Sequence, residues 1–113
     1  MRDPFREGLA AGWKHIDASQ LAVDLPIEAD VVIIGSGAGG GTSAEILANA
    51  GLSVILVEEG ILKTSDQFNL NEREAYRDLY QEGSARGTRD GSIGVLQGRS
   101  VGGTTTVNWT SSF

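Results

Sequence analysis

Val31-Val32-Ile33-Ile34-Gly35-Ser36-Gly37-Ala38-Gly39-Gly40 reads as a buried strand running into a glycine turn and then a helix. Gly35, Gly37 and Gly40 form G-x-G-x-x-G. Each glycine has a physical reason in that pattern. Gly35 permits the tight turn, Gly37 leaves no side chain in the way of a pyrophosphate, and Gly40 lets the helix lie close to the strand. The helix N-terminus then offers free N–H groups and positive dipole charge to an anion. In a chain with 16 glycines the triplet alone is a weak signal. Four β-branched residues before the turn and an acidic residue after the next strand strengthen it. The competing reading is an ordinary glycine-rich crossover.

Working outward, strand one is expected from Ala29 to Ile34, with Pro26 ending whatever precedes it. Its near-continuous apolar character suits a parallel strand covered on both faces. A helix should run from about Gly39 to Ala50, with small residues toward the sheet and Gly51 closing it in the left-handed conformation. Leu52 to Val57 reads as the second strand, with Glu58 at its carboxyl end. The fold class is therefore α/β, a Rossmann-like βαβ unit that is incomplete in this chain. A carboxylate at Glu58 is placed to accept hydrogen bonds from both hydroxyls of an adenosine ribose and to repel a 2′-phosphate. Glu59 competes for that role, but strand alternation turns it to the other side.

Composition removes several function classes. The chain has 113 residues, nine basic against 15 acidic, for a formal charge of -6. No basic cluster serves a nucleic acid, so no nucleic-acid partner is expected. No run approaches the roughly 18 apolar residues of a membrane span. Met1 to Leu25 carries acids throughout and lacks the apolar core of a secretory signal, so a cytoplasmic location is the default. There is no cysteine, which removes disulfides and thiolate chemistry. His15 is the single histidine and lies far in sequence from the glycine turn, so no metal site and no catalytic residue is assigned.

Residues 1–28 read as an amino-terminal extension. Phe5, Leu9 and Trp13 recur at helical spacing, while Gly8 and Gly12 weaken that helix. Residues 61–70 read as loop. Asn71 to Gln81 reads as an amphipathic helix with Leu70, Ala75, Leu79 and Tyr80 on its apolar stripe. Ile93 to Gln97 is expected as a short strand in a hairpin with residues near Thr88. The second informative stretch is Gly98-Arg99-Ser100-Val101-Gly102-Gly103-Thr104-Thr105-Thr106-Val107-Asn108. Gly102 and Gly103, followed by three hydroxyls beginning at Thr104, read as an anion-cradling nest that opens a short helix. A flexible turn is the plainer alternative.

The two stretches together resemble the amino-terminal part of a glucose–methanol–choline (GMC) oxidoreductase. Gly35, Gly37, Gly40, Glu58 and Gly60 match the family's first motif, and Gly98, Arg99, Gly102, Gly103 and Asn108 its second. The resemblance covers residues 29–113 and implies the amino-terminal part of an FAD-binding domain. It implies that the Gly102-Gly103 region lies against FAD, with Arg99 and Thr104 in the same motif and Asn108 close to the flavin ring. Some members attach FAD through a histidine just before that Asn; here Val107 stands there, which implies noncovalent FAD. The family oxidises alcohols, so an alcohol substrate and an electron acceptor of unspecified kind are implied for a longer protein. Its usual His–His or His–Asn pair has no match here, which implies a fragment without turnover of its own. A nicotinamide-dependent dehydrogenase would explain Gly35 to Glu58 but leave Gly98 to Asn108 without a task. A small non-catalytic nucleotide-binding module is the other alternative.

Overall fold

The computed structural model describes residues 3–108. Its helices are α1 (Pro4–Ala10), α2 (Ala38–Asn49) and α3 (Glu72–Leu79), and its strands are β1 (Val31–Ile34) and β2 (Val54–Val57). β1 and β2 pair in parallel, with Val31 opposite Val54 and Ile34 opposite Val57, and α2 is the crossover between them. The expected βαβ unit is present. Both strands begin two residues later than the sequence suggests, for a local reason. The Asp30 amide donates to Ser53 Oγ at 2.9 Å, while the Ser53 amide and hydroxyl donate to Asp30 Oδ2 at 2.8 and 2.7 Å. Side chains thus take the backbone groups that a longer ladder would have used.

Gly51 takes the expected left-handed conformation (φ 91°) after α2, donating to the Ala48 carbonyl, while the Leu52 amide reaches the Leu47 carbonyl. Gly40 faces β1 so closely that an added Cβ would stand 1.9 Å from the Gly35 carbonyl oxygen and 3.4 Å from the Ile33 side chain. Ile33 therefore lies on the helix side of the sheet. Alternation puts Val32 and Ile34 on the other side, where they are 57% and 88% exposed. The expectation of a strand covered on both faces is corrected here. One helix covers one face, and no second layer exists among the described residues.

Past β2 the chain returns to the carboxyl end of β1, where the Gly102 amide meets Ser36. α1 is real, capped by the Asp3 carboxylate on the amides of Phe5 and Arg6. Gly8, read as a weak point, is instead buried under the Trp13 indole, where a Cβ would come within 2.3 Å of the ring. Asn71 caps α3, and Leu79 and Tyr80 are the buried apolar residues that follow. Leu70 does not join their stripe. It precedes the cap, adopts a left-handed backbone (φ 60°) and is fully exposed. Residues 93–97 form no continuous strand. The hairpin near Thr88 is present as one isolated bridge, Gly87 with Gly94, flanked by the Thr88 amide on the Ile93 carbonyl and the Val95 amide on the Arg86 carbonyl, both at 2.9 Å, and the two facing glycines offer no side chains to extend it. Among the described residues no helix is long and apolar enough to cross a membrane.

Candidate functional site

The glycine turn sits where β1 ends. Gly35 has φ 95° and donates its N–H to the Val57 carbonyl at 2.7 Å, closing the turn onto the end of β2. Gly37 is the N-cap of α2 in extended conformation, and no side chain caps the helix. The first-turn amides of α2 therefore have no side-chain acceptor, and the positive end of the helix dipole is uncovered. A Cβ added at Gly35, Gly37 or Gly39 would meet nothing within 4 Å, so the space in front of the turn is open.

Glu58 lies directly across the turn. Its Oε2 accepts from the Ser36 amide at 2.9 Å and the Ser36 hydroxyl at 2.6 Å, and Oε1 accepts from the Gly60 amide at 2.9 Å. Desolvation raises the carboxyl pKa, but the hydrogen bonds from Ser36 and Gly60, helped by the nearby Glu59 amide dipole, outweigh it and hold the group below its ordinary value. Glu58 is thus an anion fixed at the tip of β2. Oε1, with one hydrogen bond, has more room for a further donor than Oε2, with two. A two-hydroxyl grip on ribose would require one of the present donors to yield. Glu59 points away, exposed, and meets Arg99 with Nε 3.5 Å from its carboxylate.

The second motif packs onto the first. Gly102 (φ 92°) donates its N–H to Ser36 Oγ at 2.9 Å. A Cβ on Gly103 would stand 2.9 Å from the Gly37 Cα, so the two glycine motifs meet backbone to backbone. A short 3-10 turn, Gly103–Thr105, follows as expected. The anion-cradling part of the expectation is corrected. The Gly102 amide is taken by Ser36, and the Gly103 amide donates to the Ser100 carbonyl at 2.7 Å. The Thr105 hydroxyl donates to the Gly102 carbonyl, and the Thr106 hydroxyl to the Val101 carbonyl at 2.7 Å. These groups are spent holding the loop. Thr104 Oγ1 accepts from the Gly98 amide at 3.0 Å and lines an open cavity of about 230 Å³ with Tyr80, Leu96, Val107 and Asn108.

Gly35, Gly37, Gly40, Glu58, Gly102 and Gly103 therefore converge at the ends of the two strands. Thr104 and Asn108 border the neighbouring cavity, and Arg99 sends its side chain to Glu59 on the outside. Sequence reasoning passed over Ser36, which is 7% exposed and touches both motifs. The available signal was a hydroxyl between two glycines that need none. His15 is exposed, and no His, Cys, Asp and Glu cluster suited to a metal exists among the described residues.

The residues present suit a dinucleotide: an uncapped helix end, open space before Gly37 and a carboxylate at the tip of the adjacent strand. Comparison with known proteins agrees. Residues 30–68 match the family described as FAD binding domain, and residues 76–113 the family described as GMC oxidoreductase. Long-chain-alcohol oxidase FAO4A of Arabidopsis thaliana is 39% identical over 88 residues, which are 78% of this chain and 12% of that protein. Long-chain-alcohol oxidase FAO3 of the same plant is 41% identical over 85 residues, 75% of this chain and 11% of its own length. An uncharacterized GMC-type oxidoreductase of Mycobacterium tuberculosis is 42% identical over 92 residues, 78% of this chain and 15% of its own. The chain spans only 11–15% of the length of these relatives.

Proposed function

We infer that this chain, which belongs to the GMC oxidoreductase family, is the FAD-binding part of a longer enzyme that oxidises alcohols. The observation that carries this reading is the backbone contact between the Gly37 turn and the Gly103 turn. It supports a site in which one extended cofactor meets both motifs, a task that a nicotinamide βαβ unit would not give to residues 98–108.

In this reading the α2 N-terminus and the space at Gly37 receive the pyrophosphate, and Glu58 orients the adenosine ribose. Thr104, Val107 and Asn108 border the isoalloxazine end. When bound, the flavin supplies the acceptor for the hydride leaving the alcohol carbon. Residues 29–113 position that acceptor. The base that takes the hydroxyl proton is assigned to no residue of this chain, so the chain alone is expected to turn over no alcohol. Val107 offers no nucleophile for attachment, so the cofactor is held noncovalently. The names of the plant relatives make a long-chain alcohol the first substrate to try.

The test uses the flavoenzyme that carries this chain. Acid precipitation is expected to leave yellow FAD in the supernatant, and anaerobic addition of a long-chain alcohol is expected to bleach the holoprotein. A colourless protein that binds NADH tightly would overturn the FAD reading. Flavin fluorescence retained on the denatured chain would overturn noncovalent attachment.

A further inference from the structure

We propose that Ser36 is a positioning residue that couples the two cofactor-binding motifs, so that the adenosine end and the flavin end of the site are set together. The proposal deepens the FAD reading and rests on it. Ser36 is 7% exposed, and its hydroxyl is engaged twice: it donates to Glu58 Oε2 at 2.6 Å and accepts from the Gly102 amide at 2.9 Å. One oxygen therefore joins the tip of β2 to a loop that lies 66 residues beyond Ser36 in the chain. The directions are forced. The Gly102 N–H can only donate and the ionised Glu58 carboxylate can only accept, so a group with both capacities must stand between them.

The link has unequal ends. Without the hydroxyl, Glu58 keeps the Ser36 and Gly60 amides, and its carboxylate stays nearly in place. Gly102, in contrast, loses its acceptor, and Gly103 loses the tie that holds it against Gly37. A ligand confined to the adenosine end should therefore notice little, and one reaching the flavin end should notice more.

Apoprotein of the flavoenzyme carrying this chain, or its Ser36→Ala variant, is titrated with FAD and separately with ADP, which lacks the flavin. For Ser36→Ala the FAD dissociation constant is expected to rise about 3- to 10-fold, the size of one net hydrogen bond, and the ADP constant less than about 2-fold. Ser36→Thr, which keeps the hydroxyl, is expected to restore the ratio. Should Ser36→Ala not fold, Ser36→Cys keeps the size with a weak donor and acceptor, and carries the same expectation. Equal weakening of FAD and ADP by Ser36→Ala, or by Ser36→Cys in its place, or wild-type binding of both ligands by that variant, overturns the coupling role. Wild-type apoprotein that binds ADP but no FAD overturns the FAD reading itself, a result distinct from either.

Discussion

Replacing Glu58 with alanine removes the acceptor of three hydrogen bonds at once, two from Ser36 and one from Gly60. The Ser36 hydroxyl can rotate toward another acceptor, but the Ser36 and Gly60 amides are fixed by the turn. A hydrogen bond to a charged group is worth about 1.5–3 kcal/mol. The site is only part-buried and water can reach the amides, so about 2 kcal/mol of folding stability is the scale of that loss, while losing the charge-assisted hydrogen bond from Glu58 to a ribose hydroxyl costs FAD about 1.5–3 kcal/mol, roughly 10- to 150-fold in its dissociation constant. Glu59→Ala supplies the contrast. Its exposed pair with Arg99 is worth about 0–1 kcal/mol, so less than about 5-fold is expected. Isothermal titration of the two apoproteins with FAD at neutral pH reads both values, with thermal melts run alongside. Equal dissociation constants for the two variants would refute the placement of Glu58 at the ribose. The same residue sets a pH dependence. Its carboxyl titrates below the ordinary 4.5, so the unfolded chain binds that proton first. The stability it contributes is complete above that value and is lost as pH falls through the lower folded-state value. The stability gap between wild type and Glu58→Ala is therefore expected to narrow in acid, and a constant gap would contradict the linkage.

Gly37→Asp puts a negative side chain into the open space before the α2 N-terminus, and purified protein is expected to carry no FAD; a normal visible flavin spectrum would reject that role for Gly37. Gly103→Ala strains a left-handed backbone (φ 58°) and drives a methyl to 2.9 Å from the Gly37 Cα. It is expected to lower stability by about 1–2 kcal/mol from the backbone alone, read as a lower melting temperature, and an unchanged melt would show that the two motifs are not held in contact.

The βαβ unit was legible because its signals are local and redundant. An apolar run, a glycine turn, a small-residue helix and Gly51 all point to one arrangement, and each was found. The site was legible where glycine was the message, since Gly35, Gly37, Gly40, Gly102 and Gly103 have roles that few other residues can fill. Illegible features depended on contacts between distant segments. Gly8 read as a helix weakness because nothing nearby foretells the Trp13 ring lying on it. Leu70 read as core because periodicity does not register the left-handed turn before the Asn71 cap. The amides of Gly102 and Gly103 read as free because their acceptors, Ser36 and the Ser100 carbonyl, become visible only once the loop is folded.

The reciprocal pairing of Asp30 with Ser53 has a consequence for the order in which the chain folds. Parallel strands are slow to assemble, since the crossover must close before any ladder bond forms. Here the two residues just before the strands are tied in register by three hydrogen bonds spanning 23 positions. Once latched, Val31 and Val54 are adjacent and each further pair adds without another closure. The latch is therefore expected to form part of the folding nucleus. Removing it by Asp30→Ala should slow refolding more than it speeds unfolding, the kinetic signature of a contact formed early.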